Sequence, residues 1–195
     1  MIVDCTAVIM AGGESQRMGR DKATLVLGEQ TLLQHVVNIV QPLFSKVVVS
    51  VRQIRPEIEL PQICDTYPNA GPLAGLCAGL EQAATPWIFA VATDMPFVQP
   101  AMIEQLAQRR AGFQAVVPVV QGHPQPLAAF YSVDCLSTIQ GLLDATGKRS
   151  IRAALDLLNV CYVDTSELLA VDPSLQSFFD LDTPEDFAAA KKKCE

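Results

Sequence analysis

Aromatic side chains are scarce in this chain of 195 residues: they make up 6% of it, although half of the residues are hydrophobic. A core with so few rings has to be aliphatic, as in a parallel sheet covered on both faces by helices. No apolar run approaches the ~20 residues of a membrane span, so no membrane partner is expected. The six cysteines include no Cys-x-x-Cys pair, which removes the usual zinc framework. Met1-Ile2-Val3-Asp4 lacks the basic and long apolar regions of a signal peptide. The cysteines are therefore expected as thiols in a reducing cytoplasm. Cations are also in deficit, with 14 Lys and Arg against 21 Asp and Glu and a net charge of −7. That balance argues against nucleic acid as a partner. It also requires any phosphate site to be a local basic island. The length suits one domain over residues 1–195.

What is present alternates between strand-like and helix-like segments. Thr6–Met10, Lys46–Val51, a short segment around Ile63, and Trp87–Ala92 read as the first four strands. Thr31–Gln41 has apolar residues at 32, 33, 36, 37 and 40, a helical spacing closed by Pro42. Gly71-Pro72 opens a small-residue helix to Ala84, and Pro100 starts one to about Arg110. Ala115–Val119 and Leu127–Tyr131 are expected strands, Cys135–Leu143 and Ile151–Leu158 helices, and Val160–Val163 extended. Thr183-Pro184-Glu185-Asp186 has a cap, a first-position proline and early carboxylates, and so starts a last helix. Residues 52–61, with two prolines and mixed charge, read as a surface connection. The alternation predicts a three-layer α/β/α sandwich with a Rossmann-like, mostly parallel sheet. By analogy with doubly wound folds, the first four strands are ordered 3-2-1-4, with strands 1 and 4 meeting at the switch point where ligands bind.

Two motifs fall at that point. The first is the loop after strand 1, Met10 to Lys22. Residues 8–22 hold three glycines and three of the chain's cations. The loop fits neither the Walker spacing nor the dinucleotide pattern, because Gly12 and Gly13 are adjacent. Adjacent glycines let backbone N–H groups approach an anion, and Arg17 and Lys22 can offset charge on a phosphoryl group. A plain strand-to-helix turn with solvated cations is the alternative. The second motif is Thr93-Asp94-Met95-Pro96. A carboxylate at the mouth of a buried strand, opposite a phosphate loop, suits Mg²⁺, whereas an Asx turn would be an ordinary role. Asp180 and Asp182, just before the Thr183 cap, read either as metal or substrate contacts or as turn residues. Lys148, Arg149 and Arg152 crowd a helix start, where cations oppose the dipole. An anionic ligand explains them, and so does a solvated loop. His35 and His123 have no visible catalytic partner.

The residues Met-Ala-Gly-Gly-x-Ser-x-Arg-Met-Gly-x-Asp-Lys (Met10 to Lys22) resemble the signature of the molybdenum cofactor guanylyltransferases, which are GT-A-like nucleotidyltransferases. Gly71-Pro72-Leu73-Ala74-Gly75, Asp94-Met95-Pro96-Phe97, Gln125-Pro126-Leu127 and Asp182-Thr183-Pro184-Glu185-Asp186 resemble that family's segments in the same order. The resemblance implies transfer of GMP from GTP to molybdopterin or its molybdenum-loaded form, with Mg²⁺ and release of pyrophosphate. Molybdoenzyme maturation factors would be further partners. It also implies nucleotide contacts from Met10, Ala11, Gly12, Gly13, Lys22 and Asp65, with Asp94 on the metal. Two departures from the family pattern stand out: Ser50 where Asn is frequent, and Asp180 and Asp182 in place of Asn. Added charge there is unfavourable beside a phosphorylated pterin unless neutralised, so Asp182 is expected to reach the metal. The attacking group, a phosphate monoester, is already largely ionised near neutral pH and needs no Ser-His pair. Three other readings share parts of this pattern. A cytidylyltransferase on the same pterin resembles Ala-Ala-Gly rather than Ala11-Gly12-Gly13. Sugar-1-phosphate nucleotidyltransferases usually carry a longer C-terminal elaboration. A non-catalytic nucleotide or pterin carrier would not need to keep Lys22 and Asp94.

Overall fold

A computed structural model of the chain describes residues 1–12, 22–67, 70–147 and 149–194. The expectations for Gly13, Arg17 and Lys148 lie outside the described residues. Strand β1 (Ile2–Met10) is buried from Cys5 onward. The next strands, β2 (Val26–Leu27) and β3 (Gln30–Thr31), form a hairpin. Its two-residue turn places Gly28 at φ 65°, as a II′ turn requires. Helix α1 (Leu32–Val40) comes directly after. Thr31 Oγ1 accepts from the Gln34 N–H at 3.2 Å, and the Gln34 side chain accepts from the Thr31 N–H at 2.9 Å. This reciprocal pair is a capping box, which satisfies two donors at the helix start.

Then come β4 (Phe44–Val51), β5 (Gln62–Cys64), α2 (Pro72–Glu81), β6 (Trp87–Ala92), α3 (Pro100–Ala107) and β7 (Ala115–Val120). Gln121 and Gly122, at φ 50° and 79°, reverse the chain into β8 (His123–Pro124) and β9 (Ala128–Ser132). Both central residues have positive φ, the signature of a I′ turn. Helices α4 (Leu136–Asp144) and α5 (Ile151–Leu155), strand β10 (Val160–Val163), α6 (Thr165–Leu168) and α7 (Pro184–Cys194) complete the chain.

The main sheet has the order β5-β4-β1-β6-β9-β7-β10, with β8 paired beside β7. The first four strands thus take the expected 3-2-1-4 order, and all are parallel. Strand β9 runs antiparallel to both β6 and β7, because the reversal at Gln121-Gly122 sends the chain straight back. Strand alternation divides the core between the two faces. Phe89, Val91 and Phe130 point to one cluster, shared with α1 and α3. Ile88, Ala90 and Tyr131 point to the other, under α2, α4 and α5. A small third cluster, Leu27, Leu32, Leu181 and Ala190, pins α7 to the β2–β3 hairpin. The rings of Phe44, Phe89 and Phe130 pack with centroids 4.8–6.3 Å apart. The result is the expected three-layer sandwich around a mostly parallel sheet.

Candidate active site

Strands β1, β4 and β6 end side by side, with Met10 paired to Ser50 and to Ala92. Beyond those ends the backbone stays tied: the Ala11 N–H donates to Ser50 O at 2.8 Å, and Thr93 Oγ1 donates to Met10 O at 3.2 Å. A cleft of about 340 Å³ opens there. Met10, Ala11, Gly12, Lys22, Asp65 and Asp94 all line it, so the structure gathers residues that lie far apart in the sequence.

Helix α2 forms one wall. It begins at Gly71, whose φ of 60° and ψ of −147° suit only glycine, with Pro72 in the first turn. Gly75 lets the helix lie directly on the strand ends. A Cβ there would stand 2.7 Å from both Met10 Cε and Ser50 Oγ.

Lys22 is the electrostatic centre. Its Nζ lies 2.7 Å from Asp94 Oδ2 and 2.6 Å from Asp182 Oδ1. Partial burial works to lower the ammonium pKa, but hydrogen bonds and charge from Asp182 and Asp94 outweigh it and raise the pKa. Asp182 thus arrives from the far end of the chain. The Leu181 N–H donates to Asp94 O at 3.0 Å, and the Leu181 side chain is wholly buried. That anchor sets the Asp182 carboxylate against Lys22, although neither Asp180 nor Asp182 is part of the cleft's lining. Asp180 is pushed up to about 7, first by desolvation and then by the charges of Asp94 and Asp182, with Lys22 opposing. Its surface is still open to solvent. Asp65 is raised by desolvation, with the Arg52 guanidinium pulling the other way.

Arg149 and Arg152 do not line this cleft. They border an adjoining groove of about 360 Å³ that shares Gly71, Pro72 and Leu127 with it. Arg52 went unread in the sequence: it belongs to the cleft wall, not to a surface connection. Its place two residues after Ser50, at the end of a strand beside the switch point, was the available signal. Ser50, Thr93 and Gly75 also line the cleft. The His35 Nε2 lies 2.8 Å from Leu27 O, a packing role.

Two hard carboxylate oxygens on one ammonium, with phosphate oxygens to join them, are a donor set that Mg²⁺ accepts. Among the described residues no group of three or more His, Cys, Asp or Glu forms a ready-made metal cage. Cys5, Cys64, Cys77, Cys135 and Cys161 are free thiols. Burial raises Cys5 and pushes Cys77 and Cys135 up to about 12, so they are poor nucleophiles. No helix of the described residues is long and apolar enough to cross a membrane.

A family model described as the MobA-like NTP transferase domain matches residues 7–159. A relative from Pelotomaculum thermopropionicum, named a probable molybdenum cofactor guanylyltransferase, is 33% identical over 100% of this chain and 95% of its own length. One of the same name from Chloroflexus aggregans is 36% identical over 93% and 90%. The crystal structure of the molybdopterin-guanine dinucleotide biosynthesis protein A from Archaeoglobus fulgidus is 28% identical. It superposes with a TM-score of 0.86, covering 97% of this chain and 98% of that one.

Proposed function

Because this chain belongs to the MobA-like NTP transferase family, we propose that it transfers GMP from GTP to the terminal phosphate of molybdopterin. The products are the guanine dinucleotide form of the cofactor and pyrophosphate. The observation that carries this reading is the meeting of Lys22, Asp94 and Asp182 at the mouth of the β1/β6 cleft. The names of the relatives support the substrates.

The work of such a site is to bring two anions together and hold them in line. Met10, Ala11, Gly12 and Asp65 bind and orient the nucleotide. Lys22 takes a phosphate oxygen and offsets the charge that builds at the α-phosphorus and on the leaving pyrophosphate. Asp94 and Asp182 are the residues that would hold Mg²⁺, which when bound polarises phosphate oxygens and offsets their charge. Arg149 and Arg152, in the adjoining groove, suit the phosphate of the pterin. A phosphate monoester attacks without a general base, in keeping with a cleft in which neither histidine takes part.

The test is pyrophosphate release by the purified protein with molybdopterin, Mg²⁺ and either GTP or CTP. Turnover with GTP is expected, with little from CTP. A CTP preference would make this a cytidylyltransferase, and tight nucleotide binding without pyrophosphate would make it a carrier. Asp94→Ala should reduce turnover by about 10²-fold or more, in line with the loss of a group that organises transition-state charge, while the fold survives.

A further inference from the structure

The carboxylate of Asp172 is 3% exposed and touches none of the cleft. Burying a charge is unfavourable unless it is well satisfied. Asp172 meets that condition with two backbone donors, Gln176 N–H at 3.0 Å to Oδ1 and Ser177 N–H at 2.8 Å to Oδ2. Its own carbonyl accepts from the Leu175 N–H at 2.9 Å. Between these grips Leu175 sits at φ 51°, a left-handed conformation that is unfavourable for a leucine. The chain is folded around one carboxylate and held in a turn that it would not otherwise choose.

The segment beyond this turn leads to the cleft. Ser177 is fully buried, and its Oγ accepts from the Gln99 N–H at 2.9 Å. Four residues on, Leu181 N–H reaches Asp94 O. Phe179 packs between, its ring 6.1 Å from that of Phe97. The stretch 177–181, just beyond the Asp172 turn, is therefore stapled at both ends to the segment 94–99, which carries Asp94. At the far end of the arm 172–182 the Asp182 carboxylate passes to Lys22.

We infer that Asp172 is a positioning residue. By fixing the turn at Gln176 and Ser177, it sets the arm that holds the Asp182 carboxylate against Lys22 and beside Asp94. This rests on the reading of Asp94 and Asp182 as the metal-holding pair. The role requires both carboxylate oxygens. Asn at 172 would turn an NH₂ toward a backbone N–H and lose one grip.

The experiment uses Asp172→Asn and, independently, Ser177→Ala, which removes only the acceptor for Gln99. Two readouts are taken on folded protein. One is the rate of Lys22 acylation by an amine-reactive ester, tracked by peptide mass spectrometry without nucleotide or metal. The other is the Mn²⁺ affinity of the GTP complex, together with kcat and KM. The variants should acylate Lys22 several-fold faster. They should weaken Mn²⁺ and lower kcat by about 10-fold or more, as residues that orient a ligand commonly do, with KM for GTP nearly unchanged. If Tm falls but Lys22 reactivity and Mn²⁺ affinity stay as in the unsubstituted protein, Asp172 is only structural and the inference is overturned. Faster acylation in a protein whose unsubstituted form releases no pyrophosphate upholds the positioning role and defeats the proposed reaction instead. Where Asp172→Asn does not fold, Asp172→Glu, which keeps a carboxylate but displaces its two oxygens from the Gln176 and Ser177 N–H groups, takes its place under the same readouts.

Discussion

Lys22 and the metal it is expected to serve want the same two oxygens. Its ammonium already bridges Asp94 and Asp182, so a divalent ion entering the cleft has to displace it. On the proposed reaction, phosphate would attract the ammonium and leave the pair to the metal. Lys22→Ala should then lose turnover by about 10²–10³-fold, yet bind Mn²⁺ more tightly than the unsubstituted protein when no nucleotide is present. Titration monitored by electron paramagnetic resonance measures this, and unchanged or weaker binding would remove the idea of a shared pair. Asp180 gives a second outcome. Its carboxyl is raised from 3.8 to about 7, so the folded chain keeps a proton that the unfolded chain has released. The stability from this group is fully present below about pH 4 and is lost as pH rises through about 7, reduced by solvent screening because the side chain is open. The Tm of metal-free protein should decline over that window more steeply than that of Asp180→Asn; equal slopes would show that the carboxyl titrates normally. At this scale the sequence was informative where chemistry sits at strand ends. Lys22 and Asp94 were legible together because they come after β1 and β6. The contact of Asp182 with Lys22 spans 160 positions and was not read; excess charge suggested only that Asp182 reaches a metal.

The helix starts show how far local chemistry carries. The Thr183 cap was legible in residue order and forms, whereas the Thr31 capping box was not read. At α7, Asp186 Oδ2 accepts from the Thr183 N–H at 2.9 Å, while Thr183 Oγ1 accepts from the Asp186 N–H at 3.1 Å. Thr31→Ala should lower stability by about 1 kcal/mol and leave turnover of folded protein unchanged, as a denaturant titration beside an activity assay can check. Helix α2 fails the usual pattern in an instructive way. It is buried from Leu73 to Leu80, so it has no polar stripe to mark its period, and its glycines mark close approach instead. Gly75→Ala should cost about 1–3 kcal/mol through overpacking and raise KM for GTP, because Met10 and Ser50 must shift. An unchanged KM would separate α2 packing from the nucleotide wall. The β2–β3 hairpin and α6 were not read at all. Two-residue strands and a four-residue helix are too short for periodicity to appear, although Gly28-Glu29 carried the turn chemistry.

At the scale of the molecule, the layers came from alternation of elements, and the order of four strands from analogy with doubly wound folds. The direction of β9 did not, because hydrophobic pattern is the same for a strand run either way. The reversal was signalled only by Gln121-Gly122. Both core clusters rest on opposite faces of the same strands, so neither side can melt while the other keeps its support. If residues 1–195 form one domain, the chain should unfold in one calorimetric transition, with equal calorimetric and van't Hoff enthalpies; two separated peaks would divide it into units. The arm 172–182 adds a consequence in time. Synthesis runs from the loop after β1 toward α7, so a growing chain carries the cleft and Lys22 long before it carries Asp182. A polypeptide released early would hold the entrance of the site without its closing carboxylate. On the proposed reaction, such a product should be idle until the arm arrives, so completion of the site would be among the last events of synthesis.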